Sequence, residues 1–121
     1  MALYAALLYY SEDGGWMGRE HLAEQSGFLA DPAAGEVVRG WRALGPASTA
    51  TTITVGSGLG GDVVITDGPY AEAKEVLGGF YLLEAADMDE AIRWAARIPA
   101  AWRGKIEVRP VLPVNPPAGR P

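Results

Sequence analysis

GFYLLEAADMDEAIRWAARIPAAWRGKIEVRPVL, residues 79–112, decides the fold class. Gly79–Ala85 is an apolar run of strand length. From Asp87 to Ile98 the period changes. Met88, Ala91, Ile92, Ala95 and Ile98 form one apolar stripe, and Asp89, Arg93 and Arg97 stand four apart on the solvent side. Asp87 caps this helix, and Glu90 three residues on completes a capping-box pattern. Pro99 stops it. Lys105–Leu112 then alternates Ile106 and Val108 with Lys105, Glu107 and Arg109, as a strand with one buried face does. The unit is strand, helix, strand.

Upstream the same reading gives the other elements. Ala50–Val55 and Val63–Thr66 are two strands of a hairpin around the turn Gly56–Asp62. Asp67-Gly68-Pro69-Tyr70 is a turn or loop, followed by Ala71–Leu77. Glu36–Leu44 reads as a strand made irregular by Gly40. Met17–Asp31 reads as a helix with Leu22, Ser26, Leu29 and Ala33 on its stripe, ended by Pro32 and Gly35. Ala2–Tyr10 is a first strand with apolar residues on both faces.

The resulting order, β-α-β-β(hairpin)-β-α-β, is that of a ferredoxin-like α+β fold: an antiparallel sheet with two helices on one face, plus an extra β-hairpin. The uncovered sheet face is apolar and calls for burial. A second copy, sheet against sheet, is the expected partner, so the chain is expected to be a homodimer. Residues 1–112 form the domain. Pro113–Pro121, with four of the nine prolines, is a loose tail.

Composition narrows the function. The chain has 121 residues, no cysteine, one histidine and a formal charge of −5. Without cysteine there is no thiolate nucleophile and no Cys-built metal site. One histidine cannot supply a His cluster, so no metal and no cofactor are expected. Scattered basic residues in an acidic chain argue against direct nucleic-acid binding. The apolar Met1–Tyr10 is far short of the ~20 residues of a membrane span and lacks a signal-peptide pattern. A cytoplasmic protein is expected.

Gly56-x-Gly58-x-x-Gly61 has the letters of a dinucleotide fingerprint, but Val63-Val64-Ile65-Thr66 follows where a helix N-terminus is needed. It reads as a hairpin turn. Asp67-Gly68-Pro69-Tyr70 is more informative. An Asp at a strand end before Gly-Pro either caps its own turn or points into a pocket as a base or hydrogen-bond acceptor. Tyr70, Glu72 and Lys74 stand close enough to line such a pocket. His21 titrates nearest neutrality and is either a helix-surface side chain or the partner of Asp67 in an acid–base pair. The aromatic residues read as core and dimer packing, with a pocket wall for a planar ligand as the alternative.

Thr66-Asp67-Gly68-Pro69-Tyr70-Ala71-Glu72-Ala73-Lys74-Glu75 resembles the signature stretch of the YCII-related family, in the branch named after its Asp-Gly-Pro-Phe motif. Pro46-Ala47-Ser48-Thr49-Ala50-Thr51-Thr52, Leu77-Gly78-Gly79-Phe80-Tyr81, Arg97-Ile98-Pro99-Ala100-Ala101 and Glu107-Val108-Arg109-Pro110 are similar to other stretches of that branch. The resemblance covers roughly residues 36 to 112. It implies a dimeric α/β barrel. It also implies two functions to weigh. One is small-molecule binding with lyase- or isomerase-type acid–base chemistry through Asp67. The other is a non-catalytic module acting on an extracytoplasmic-function sigma factor in trans. Three departures bear on the site. Tyr70 replaces the motif Phe. Gln25 stands where the branch often has His or Tyr, with His21 one helical turn earlier. Trp41 stands in a segment where Gly-Gly-Glu is usual and can fill the pocket.

Overall fold

The computed structural model describes residues 1–11, 18–70 and 74–113. Strand β1 spans Ala2–Ser11, and helix α1, Arg19–Ala30, is followed by the short α2, Pro32–Gly35. β2 is Val38–Ala43, β3 Thr51–Val55, β4 Val63–Asp67 and β5 Glu75–Ala85. Helices α3, Met88–Ala95, and α4, Ala100–Arg103, precede β6, Lys105–Pro110.

Four strands form one antiparallel sheet in the order β2-β5-β1-β6, and β3 and β4 form a separate two-stranded sheet. Setting that hairpin aside, the elements follow the expected β-α-β-β-α-β order. The longest strands, β1 and β5, occupy the centre. Their alternation sorts the side chains. Tyr4, Ala6, Leu8 and Tyr10 of β1 and Tyr81, Leu83 and Ala85 of β5 are buried. Phe28, Ala95, Ile98 and Ala100 from the helical layer complete the core against Ala6, Leu8, Tyr81 and Leu83. Ala5, Leu7, Tyr9, Phe80 and Leu82 lie on the other face, partly buried. Two glycines permit close strand contacts. A Cβ at Gly79 would stand 2.6 Å from the Arg42 carbonyl oxygen, and one at Gly104 would stand 2.1 Å from that of Tyr9.

The predicted cap of α3 forms. Glu90 donates its backbone N–H to Asp87 Oδ1 at 2.9 Å, and its carboxylate accepts from the Ala86 N–H at 3.0 Å. Ala91, Ala95 and Ile98 of the predicted stripe are buried, while Ile92 stays half-exposed. The Gly56–Asp62 turn also forms, closed by Gly56 N–H to Asp62 O and Gly61 N–H to Gly58 O, with Gly58 and Gly60 both at φ +84°. Left-handed backbone of this kind favours glycine.

Three expectations change. α1 buries His21, Gln25 and Phe28, leaving Leu22 about half exposed, so its inward face is turned from the predicted Leu22–Ser26–Leu29 stripe. The cause is a weakly amphipathic segment, in which the tertiary environment chooses the face. Pro32 does not simply end this helix. Asp31 accepts the Ala33 N–H at 2.9 Å and caps α2, with Pro32 at its first position. β5 begins at Glu75 rather than Gly79, because Glu75, Val76 and Leu77 pair with Ser11, Tyr10 and Tyr9 beyond a register shift.

Candidate functional site

Strands β1 and β5 and the segments flanking the hairpin line a cleft of about 510 Å³. Its walls are Tyr9 from β1, Glu75, Val76 and Leu77 from β5, the segment Leu44–Ala50, and Pro69. The lining is mostly apolar. The Leu44–Ala50 segment is held in shape by its own bonds. Leu44 donates to Gly78 O, continuing the β2–β5 edge. Thr49 donates both its N–H and its hydroxyl to Pro46 O, at 2.9 and 2.6 Å. The Asp-Gly-Pro turn is anchored beside it. Gly68 N–H donates to Ala50 O at 2.7 Å, and the Thr52 hydroxyl donates to Gly68 O at 2.9 Å. Gly68 has φ +99°, which explains a glycine at this point of the turn.

Asp67 ends β4 opposite Thr51, is exposed, and makes no side-chain hydrogen bond among the described residues. It therefore does not cap its own turn here. Tyr70 is 83% exposed, and Lys74 is also exposed. Glu72 lies outside the described residues. Trp41 belongs elsewhere. It stacks on Tyr81 at 6.0 Å between centroids and 20° between planes, on the helix-covered face of the sheet. His21 and Gln25 are buried under α1 on that same side, whereas Tyr9 and Leu77 open the cleft on the other. The single chain thus sets Pro69 in the cleft wall with Asp67 exposed two residues before it, and holds His21, Gln25 and Trp41 beneath the helices. It does not pair His21 with Asp67.

The buried set has its own electrostatics. His21 is 1% exposed. Burial, reinforced by the Arg103 guanidinium and opposed by Glu24, holds its imidazole below the ordinary histidine pKa. Arg103 ties α4 to α1 through Glu24 at 2.6 Å, with Glu20 at 3.7 Å. The bond from Arg103 keeps Glu24 more acidic than usual. On the open side, Lys105 pairs with Glu75 at the cleft margin.

Tyr81 was not picked out by its sequence context. Its phenol is buried, meets Phe28 edge-on at 5.9 Å, and finds no hydrogen-bond partner among the described residues. Burial pushes its pKa up to about 12. A buried unmatched hydroxyl costs about 1–3 kcal/mol. Tyr81→Phe is therefore expected to raise stability by about 1 kcal/mol, read as a higher urea midpoint. A clear loss would show that the hydroxyl is satisfied. The cleft walls at Tyr9 and Leu44 carry no such signal, whereas the Pro46–Thr52 and Leu77–Tyr81 stretches, singled out by the family resemblance, both contribute to the walls.

Among the described residues no group of three or more His, Asp or Glu side chains is arranged to hold a metal ion. No helix among them is long and apolar enough to cross a membrane. The model of the YCII-related domain matches residues 2–115. An uncharacterised protein of Rhizobium meliloti (strain 1021) is 34% identical over 125 residues, covering 94% of this chain and 95% of its own length. A match over nearly the whole chain, with a similar full-length relative, makes this chain a member of the YCII-related domain family.

Proposed function

We propose that this protein binds a small, largely apolar molecule with at least one hydrogen-bond donor in the cleft at the root of the hairpin. The observation that carries this reading is the anchored turn. Two hydrogen bonds fix Gly68, which sets Pro69 in the wall, and Asp67, two residues before Pro69 in the chain, keeps its acceptor capacity unused among the described residues. Apolar walls with a few fixed polar groups are the usual make-up of a ligand pocket. Asp67 serves as the acceptor that orients the ligand.

Lyase- or isomerase-type chemistry asks more of Asp67. A carboxylate works as a base near neutral pH when burial raises its pKa, and in one chain Asp67 is exposed. A second copy packed on the open sheet face, in the manner of a dimeric α/β barrel, would supply that cover. The regulatory reading, a module acting on a sigma factor in trans, rests on the acidic charge and the family resemblance, and no surface feature adds to it.

The test is a thermal-shift screen of the wild type and Asp67→Asn against small phenols and small primary amides, two classes of hydrogen-bond donor. One chemical class is expected to raise the wild-type Tm by several degrees, and Asp67→Asn to lose most of that shift. A panel without effect on the wild type, or equal shifts in both proteins, would remove the cleft as a binding site.

A further inference from the structure

We infer that the outer edge of β6, with the groove beside it, takes up an extended segment of a partner protein as an added strand. β6 is the last strand of the main sheet. Val111 donates its backbone N–H to Leu3 O at 3.0 Å. In the same ladder Tyr4 faces Pro110 and Leu8 faces Ile106. Bonded and unbonded pairs alternate along an antiparallel ladder, so Lys105, Glu107 and Arg109 are the residues bonded to β1. The N–H and C=O groups of Ile106 and Val108 therefore point outward. Pro110 takes the next outward position, where its missing N–H costs the ladder nothing. No strand among the described residues pairs with this edge.

The side chains beside that edge fit a strand. Ile106 and Val108 turn toward the helical layer and, with Met88, Ile92 and Ala96, line a mostly apolar groove of about 560 Å³. Ile92 is 51% exposed. A strand added opposite Ile106 and Val108 would send its own alternate side chains into this groove. An unpaired edge beside a groove between strand and helix is the setting of β-strand addition. There the main chain supplies affinity and the groove supplies specificity.

Charge selects the occupant. Lys105, Glu107 and Arg109 lie on the opposite face of β6 and are exposed. Lys105 pairs with Glu75, yet its side chain stays 73% exposed. Glu107 and Arg109 make no ion pair among the described residues. Opposite charges facing each other across a ladder attract, and like charges repel. The partner segment therefore reads acidic, apolar, basic, apolar, acidic. A second copy laid along the whole edge would instead set Lys105 against Arg109 and Glu107 against itself. The groove lies on the helix-covered side, so this edge does not depend on the cleft at Pro69.

The probe is the peptide Gly-Glu-Leu-Lys-Leu-Glu-Gly, titrated into the isotope-labelled full chain and followed by NMR, with Gly-Lys-Leu-Glu-Leu-Lys-Gly as its charge-reversed control. The Ile106 and Val108 amide signals are expected to shift, and their hydrogen exchange to slow by at least about 10-fold. The control is expected to bind at least about 10-fold more weakly. Glu107→Lys, an exposed change, is expected to cut that preference to about 2-fold. Ile92→Asp, in the groove wall, is expected to lose the peptide; should it fail to fold, Glu107→Lys decides alone. No shift at about 1 mM peptide, equal binding of the two peptides, an unchanged preference in Glu107→Lys, or binding that leaves the Ile106 and Val108 amides unmoved overturns the inference. Protection of those two amides before any peptide is added also overturns it. Protection lost on dilution would give the edge to a second copy, and protection that survives dilution to another segment of the same chain.

Discussion

Gly104→Ala is expected to destabilise the protein by about 3 kcal/mol, a drop of roughly 10 °C in Tm. The added Cβ would stand 2.1 Å from the Tyr9 carbonyl oxygen and 3.2 Å from its carbon. Those atoms belong to β1, the strand that pairs on both sides with β5 and β6. Backbone held by two ladders cannot swing away as the end of a long side chain can. Gly104 must instead move, and it links α4 to β6, so the Arg103–Glu24 contact moves with it. Tyr9 also walls the cleft, so ligand binding should weaken along with stability. Gly27→Ala is the matched control. Gly27 lies inside α1, where an added Cβ meets nothing within 4 Å. There alanine is expected to stabilise by about 0.5–1 kcal/mol through helix propensity. The same chemical change should thus have opposite signs at the two positions, read as Tm in one buffer. Equal effects would mean that the contact at Tyr9 does not limit the fold.

Where sequence reasoning succeeded, the local signal and the tertiary demand agreed. Asp87 and Glu90 specify the start of α3 by bonds that need nothing beyond the helix itself. The glycines between Gly56 and Gly61 specify a turn because left-handed backbone is open to them. The apolar run of β1 and the alternation of β6 give strands whatever packs on them. α1 shows the opposite case. Nothing in its composition says that His21 and Gln25 face inward and Leu22 outward, because burial there is set by how the helix packs rather than by residue type. The candidate site divides the same way. Asp67-Gly68-Pro69 is visible as a turn of unusual chemistry, and the structure does place Pro69 in the wall of a cleft. The other walls come from segments distant in sequence, Tyr9, Leu44–Ala50 and Leu77, that meet through β-pairing. Trp41 reads equally well as a pocket wall or a core residue, and its stacking on Tyr81 puts it in the core layer. The position of His21 relative to Asp67 depends on how α1 packs on the main sheet and where the separate hairpin stands, and a sequence does not print that.

Below neutral pH, His21 is expected to become the main source of lost stability. Its side chain is 1% exposed, and the Arg103 guanidinium adds to the burial that disfavours its charged form. The folded pKa therefore lies below the ordinary value of 6.5. In the window between the two, the unfolded chain binds the proton and the folded chain does not, so stability rises with pH there. The contribution is fully present above about pH 6.5 and is lost as pH falls through the folded value. Two carboxylates that shift in the same downward direction do not blur this window. Glu24, bonded to Arg103, and Asp31, bonded to the Ala33 N–H and Arg97, begin from 4.5 and 3.8, so their contributions fade only in more acid solution. Between pH 7 and 5 the wild-type Tm is thus expected to fall by several degrees. In His21→Gln, which keeps a polar side chain but does not titrate, the Tm should stay nearly flat. An identical fall in both proteins would place the acid-sensitive group elsewhere. The same comparison separates the two polar sites of the fold. Asp67 is exposed at the end of the hairpin while His21 is buried under α1, so Asp67→Asn should leave the slope unchanged, whereas an Asp67–His21 pair would make the slope change with either residue.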